Sequence, residues 1–392
     1  MFSSRLPSAL VPNAISRAAA ALRAARGPLL DLTETNPTKV GLQCGPEVLA
    51  ALSSPLGTSY EPEPLGMATA REAVAREYGR SGLLPSIDPD TVVLTASTSE
   101  AYTLLFKLLC DPGDDLLVPQ PSYPLFDSLT TLDAVVSRPY RLDFHGTWSI
   151  DRDSVQHAVT PRTRAILVVS PNNPTGSMLR SADREWIAAF AAEHDIAVIA
   201  DEVFADYPLR PARDAASWLG ETRALTFVLG GLSKSAGLPQ LKLGWIVVSG
   251  PSSVARQALE RLEIICDTYL SVSTPVQIAA PALFDAGRDL RGRIQARISR
   301  NLSALEALID ADSSVSLLSP EGGWCVVLRV PATESEEALV LRLMHDANVL
   351  VHPGFFFDFA SEAFLIVSLL PEPSVFDDAM ARVLPVAGGR RV

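Results

Sequence analysis

The residues best placed for chemistry are polar positions that each sit at or just past the end of an apolar run. Thr98 and Ser99 follow TVVLTAS (91–97), and Pro171-Asn172-Asn173-Pro174 follows RAILVVS (164–170). Asp201 lies near the end of IAVIADEVF (196–204), and Ser233-Lys234 follow LTFVLGG (225–231). A lysine amine drawn out of water is a nucleophile that forms an imine with a carbonyl. Most lysines are solvated surface charges, but Lys234 emerges from an apolar run into a turn rich in Gly and Ser. Asp201 reads either as a functional carboxylate or as the N-cap of a following helix. Thr98 and Ser99 open a helix, whose first turn suits an anion. A buried scaffold has no need of polar residues at so many strand ends, and their recurrence is the main sign of an active site.

The elements that must position these residues alternate. Amphipathic helices are predicted at EAYTLLFKLLC (100–110) and SADREWIAAFAAEHD (181–195), between the apolar runs above and KLGWIVVSG (242–250). Continuous apolar strands separated by helices indicate an α/β fold with a mostly parallel sheet covered on both faces. In such folds ligands gather beyond the carboxyl ends of the strands, which is where the polar residues fall. After about residue 285 the texture changes. A long helix (RISRNLSALEALIDA) precedes a strand WCVVLRV, a helix near 335–347 and NVLVHPG. The expected division is an N-terminal arm with part of a small domain (1–45), a large domain (46–284) and a smaller α+β domain (285–392), with helix 251–270 bridging them.

Bulk properties exclude several classes. The 392 residues carry a formal net charge of −12, which argues against nucleic acid and anionic membranes as partners. No apolar run approaches the roughly 18 residues needed to span a bilayer. Cys44, Cys110, Cys266 and Cys325 form no CxxC pair, which fits packed thiols in a reducing compartment and a cytoplasmic location. The five histidines do not cluster and HExxH is absent, so no metal site is expected. There is no Gly-x-Gly anywhere, so a nicotinamide-type fingerprint is missing. Ser233-Lys234-Ser235 lacks the glycine that a phosphate loop needs before its lysine. The Arg- and Ala-rich first 30 residues suit either a transit peptide or an amphipathic helix capped at Asn13 and ended at Gly27-Pro28, and those start and stop signals favour the helix.

SPNNPTG (170–176), ADEVFADY (200–207) and LSKSAGLPQLKLGW (232–245) resemble, in order, the signatures of class I/II aminotransferases, the fold-type-I enzymes that use pyridoxal 5′-phosphate. YEPEPLG (60–66), TASTSEA (95–101) and DPGDDLLVPQPSYPLF (111–126) match the same family, so the resemblance runs from about residue 31 to 370. It implies that Lys234 carries the cofactor as a Schiff base and moves the substrate proton, and that Asp201 keeps the pyridine nitrogen protonated. It also implies that Asn173 bonds the phenolic oxygen and Tyr123 stacks on the ring; their simpler readings are a turn residue and core packing. Thr98, Ser99 and Lys242 would hold the phosphate, Lys242 standing where the family usually has arginine, and Ser233 is a further cofactor-binding position. Tyr60 matches a tyrosine that in relatives reaches the neighbouring subunit's phosphate, which implies a homodimer with shared sites.

Three positions depart from the family pattern. Phe204 stands where a tyrosine usually donates to the phenolic oxygen, which should raise the pKa of the lysine-bound chromophore; Tyr207 is a weak substitute. The arginine that usually binds the substrate carboxylate is absent from AFLIVSLLPEP, where Phe364 takes its place, and Lys39, near Asn36 in ETNPTK, is the candidate replacement or else a solvated loop lysine. Tyr269 lies where dicarboxylate-specific relatives have an arginine from the partner subunit. The expected activity is ping-pong transfer of an amino group between an amino acid and a 2-oxo acid. The alternatives are a lyase or decarboxylase on the same fold, or a non-catalytic protein that binds the cofactor.

Overall fold

The apolar runs become neighbours in one eight-stranded sheet of this computed structural model, which describes residues 2–7, 11–80, 86–211, 214–309 and 313–389. The spatial order is Val92–Thr95, Gly244–Ser249, Thr226–Gly231, Ala197–Asp201, Thr163–Val169, Asp115–Gln120, Val136–Phe144 and Trp148–Ile150. Strands Gly244–Ser249 and Trp148–Ile150 run antiparallel to their neighbours and the other pairings are parallel. The inner strands are apolar along their middles because both faces are covered, with polar residues confined to their ends. Val198, Ala200, Ile166 and Val228 pack towards helices Ala68–Gly79 and Ser181–Glu193. Ile199, Leu167, Phe227 and Ile246 pack the other way, towards helices Thr98–Leu109 and Ser252–Tyr269.

A third core lies beyond the sheet. It joins helix Ala14–Arg26, the segment from Leu29 to Leu42, one face of a four-stranded antiparallel sheet and the C-terminal helix Pro373–Ala387. The small sheet is ordered Ser316–Leu318, Cys325–Arg329, Phe364–Ser368 and His352–Pro353. Its other face, with Val327, Ile366 and Phe357, meets Trp148 from the edge of the large sheet. The N-terminal segment is stitched in by Leu30–Asp31, which pairs in parallel with Val349–Leu350.

Local signals act as expected at the N-terminal helix. Asn13 accepts from Ser16 N at 2.7 Å, and Gly27 ends the helix at φ 87°. The connecting helix is a different one from that expected. Ser252–Tyr269 buries Ala258, Leu262 and Cys266 against the central sheet, and it is the 35-residue helix Thr274–Leu308 that connects the two regions. Its Ala279, Ala280, Leu283 and Phe284 belong to the large core, while Leu290, Ile294, Ile298, Leu302 and Leu305 belong to the third. The boundary expected at 284/285 therefore falls inside a continuous helix; the last residues assigned to it by sequence, 310–311, lie outside the described residues.

Candidate active site

Asp201 is the last residue of its strand and only 8% exposed. Tyr102 Oη donates to its Oδ2 at 2.6 Å, and Val203 N donates to Oδ1 at 3.1 Å. No helix follows, so the N-cap reading of Asp201 does not hold. Burial pushes the Asp201 carboxyl above its ordinary range, opposed by the Tyr102 and Val203 hydrogen bonds and by Lys234. A carboxylate this deep favours a cationic partner.

Lys234 stands in the short helix Leu232–Ser235 that follows strand Thr226–Gly231. Its Nζ lies 4.6 Å from the ring centroid of Trp324 and 5.3 Å from that of Phe204. Burial lowers its pKa; Cys325 and Asp201 act in the opposite direction. Two edge-to-face contacts, Phe204–Trp324 at 5.3 Å and Tyr207–Trp324 at 5.1 Å, build the wall behind the amine. Tyr207 is no substitute for a hydroxyl at Phe204, because its Oη is committed to the Lys234 carbonyl oxygen at 2.6 Å. Trp324 arrives on a loop docked from the small sheet: Gly322 N donates to Gly176 O at 3.0 Å and Gly323 N to Tyr207 O at 2.9 Å. A Cβ on Gly322 would meet Pro171 Cγ at 2.7 Å, so the approach requires glycine.

Cys325, which interacts electrostatically with the amine, lines a cavity of about 260 Å³ together with Asn173, Tyr123, His352, Phe356 and Ile366 and with Thr33, Thr35, Pro124, Phe357 and Ser368. Asn173 Oδ1 is buried there with no hydrogen-bond partner, whereas Asn172 is spent on Thr175, whose Oγ1 donates to its Oδ1 at 3.0 Å. Tyr123 is 44% exposed and meets Phe126 edge-on at 6.2 Å. The expectation for Phe364 needs correcting. On strand Phe364–Ser368 the side chains reaching the cavity are Ile366 and Ser368; Phe364, two residues back on the same face, stacks on Phe359 at 4.5 Å. A side chain that faces the cavity from this strand in place of an arginine is therefore Ile366.

The anion end is built from backbone. Thr98 and Ser99 are the first two residues of helix Thr98–Leu109; Ser97 caps it by accepting from Glu100 N at 3.1 Å, and Glu100 turns back to accept from Ala96 N at 2.6 Å. A Cβ on Gly244 would meet Thr95 Oγ1 at 2.9 Å and Thr98 N at 3.2 Å. A side chain there would fill the cradle between the helix start and the turn that carries Ser233. Lys242, exposed and left-handed at φ 53°, lines a separate groove of about 610 Å³ with Asn36. Asn36 Oδ1 caps its own turn, accepting from Thr38 N at 3.1 Å. Lys39 lines neither space: it is 67% exposed and paired with Glu34 at 3.3 Å. Tyr60, 72% exposed, and Tyr269, 51% exposed, share one surface cleft.

Sequence reading missed Tyr102, Trp324, Cys325, His352, Ile366 and the Phe356-Phe357 pair. Tyr102 carried a signal, since it lies one helical turn beyond Thr98. The others come from strands and loops whose apposition no spacing records. Among the described residues no cluster of His, Cys, Asp and Glu is arranged to hold a metal ion.

Comparison with known proteins agrees with this geometry. The profile of the family described as aminotransferase class I and II matches residues 31–380. Glutamate-pyruvate aminotransferase AlaA of Escherichia coli (strain K12) is 26% identical over 349 residues, covering 87% of this chain and 86% of the relative. Alanine aminotransferase of Mycobacterium tuberculosis (strain ATCC 25618 / H37Rv) is 26% identical over 363 residues, covering 90% of this chain and 84% of the relative. Among solved structures, an alanine aminotransferase from Pyrococcus furiosus superposes with a TM-score of 0.84 at 27% identity, covering 97% of this chain and 98% of that one.

Proposed function

The chain belongs to the class I and II aminotransferases, pyridoxal 5′-phosphate-dependent enzymes that move an amino group between an amino acid and a 2-oxo acid, and from that premise we propose that Lys234 is the cofactor-bearing, proton-moving residue and that Asp201, Asn173, Tyr123 and the Thr98 helix start hold the cofactor. The observation that carries this reading is a lysine amine buried against Trp324 and Phe204 that acts electrostatically on the buried, Tyr102-bonded carboxylate of Asp201. The groups present fit the cofactor. Asp201 favours a cation such as a protonated pyridine nitrogen, Asn173 Oδ1 is a buried polar atom without a partner, and the Gly244 cradle leaves the Thr98 and Ser99 amides open to a phosphate.

When bound, pyridoxal 5′-phosphate supplies an electron sink for the charge left as the substrate α-carbon loses its proton. The rest falls to the protein. Lys234 Nζ takes the α-proton; burial lowers its pKa, which enlarges the fraction present as free base near neutral pH. Asp201 holds a proton at the pyridine nitrogen, and Tyr102 fixes the carboxylate through its 2.6 Å hydrogen bond. Phe204, Trp324 and Tyr207 keep water from the amine. Ser233 would add to the phosphate end, whereas Lys242 lines the separate groove with Asn36.

The enzyme works as a homodimer, with Tyr60 reaching the partner's phosphate. Support comes from the exposed Tyr60, Tyr269, Leu49 and Leu56. A cytoplasmic setting is supported by four free cysteines; among the described residues no helix is long and apolar enough to cross a membrane. Borohydride reduction of the protein incubated with cofactor, followed by peptide mapping, tests the assignment. The label should fall on Lys234, and L-alanine should convert the unreduced protein to the amine form of the cofactor. Labelling elsewhere, or none, refutes it.

A further inference from the structure

His352 is the one imidazole, with no guanidinium or ammonium beside it, among the described residues lining the cavity. It is the cross-strand partner of Ile366 in the antiparallel pair His352–Pro353 with Phe364–Ser368. Directly opposed side chains on one face start about 5 Å apart, so the imidazole rises next to the position where the cavity-facing strand offers only the sec-butyl group of Ile366. The ring is steered by aromatic neighbours, Phe356 at 5.8 Å and Phe357 at 5.7 Å. Those neighbours are themselves pinned. Buried Glu336 accepts from Phe355 N at 2.8 Å and Phe364 N at 2.7 Å, closing the loop between them, and Ser122 N donates to Phe357 O at 3.0 Å.

We propose that His352, as an imidazolium, binds the substrate carboxylate of this aminotransferase and so takes over at Ile366's side the task an arginine would perform. The inference rests on the aminotransferase reading of the site. The groups around His352 allow it to change charge with the ligand. Its own two-residue strand brings no other titratable group, and the Phe364–Ser368 strand presents Ile366 and Ser368. Cys325, on the strand beyond, is a thiol pushed up to about 12 by burial and is neutral. The N-terminal segment brings Asp31, already bridged to Arg23 at 2.8 Å and accepting from Thr33 Oγ1. Glu336 lies behind the aromatic turn and is occupied by amides. Burial holds the His352 pKa below its ordinary value and Asp31 opposes this only in part, so the ring of the free protein is neutral near pH 7 and takes up a proton when a carboxylate arrives. Carboxylate affinity is then flat below the pKa of the free ring and falls as pH rises above it.

Calorimetry of the protein with 3-phenylpropionate and its uncharged counterpart 3-phenylpropanamide, near pH 7.5 in two buffers of different ionisation enthalpy, tests this. The wild type should prefer the carboxylate and take up close to one proton on binding it. His352→Gln keeps a hydrogen-bond donor but no charge. It should bind the carboxylate about 10- to 100-fold more weakly with no proton uptake, and leave the amide unchanged. Adding Ile366→Arg to that variant should restore carboxylate affinity without proton uptake. Carboxylate affinity within twofold of wild type in His352→Gln, no proton uptake by the wild type, or no preference for the carboxylate each overturns the proposal. Cofactor trapping on Lys234 is measured separately. Loss of trapping with an intact calorimetric signature removes the function assignment alone, whereas intact trapping with an indifferent His352→Gln removes this inference alone.

Discussion

Glu202, beside Asp201, gives the most quantitative forecast, because its surroundings allow the effect of one substitution to be worked through. Its side chain is buried; Oε1 accepts from Trp218 N and Oε2 from Ser217 Oγ, both at 2.7 Å. Burial lifts its carboxyl from 4.5 to about 7, against the pull of those two bonds and of Arg184, with Asp201 adding to the rise. A pKa raised on folding means that the folded state holds the proton more tightly. The associated stability is complete below the unfolded value of 4.5 and is lost as pH rises through about 7. A rise of that size at 1.36 kcal/mol per unit corresponds to about 3 kcal/mol between pH 4.5 and pH 8. Glu202→Gln retains an acceptor for Trp218 N and cannot titrate. Urea unfolding of the cofactor-free protein at about pH 5 and about pH 8 should show the variant close to wild type at the lower pH and more stable by about 3 kcal/mol at the higher, with equal m-values. A wild-type-to-variant difference that does not change between the two pH values refutes the reasoning.

Tyr102→Phe removes a hydrogen bond to a buried carboxylate, worth about 1.5–3 kcal/mol. It should raise the Asp201 pKa further and weaken pyridoxal 5′-phosphate binding by at least about tenfold in a spectroscopic titration; binding within twofold of wild type counts against the pairing. Phe204→Tyr should lower the pKa of the lysine-bound chromophore by about 1–2 units, the equivalent of one hydrogen bond to a charged oxygen, read by absorbance against pH; an unchanged pKa rejects the role given to Phe204. Lys39→Ala should leave the amino-donor KM and kcat unaltered, because Lys39 is exposed and paired with Glu34; a KM increase of tenfold or more would return Lys39 to the site.

The readable parts of the site were those coupled to local pattern. Asp201, Lys234, Thr98 and Asn173 each follow an apolar run, and a strand end is legible because burial on both faces demands an unbroken apolar segment. The helix capped by Asn13 was legible for the same kind of reason, since cap and stop residues act within one turn. Lys39 and Phe364 misled because they were placed by position along the chain alone. The pleat decides which of Phe364, Leu365 and Ile366 meets the cavity, and the pleat is set by pairing with His352 and Cys325.

The chain by itself determined the apolar strands, the polar residues at their ends and therefore the family and its cofactor. Tertiary structure alone decided what surrounds Lys234. Trp324, Cys325, His352 and Ile366 come from a second sheet and the loop leading into it, 90 or more residues further along the chain, held against the first by docked glycines. The reason is physical: burial and hydrogen bonding over a few residues write a local pattern, whereas the meeting of two sheets depends on side-chain packing between segments whose separation in sequence carries no period.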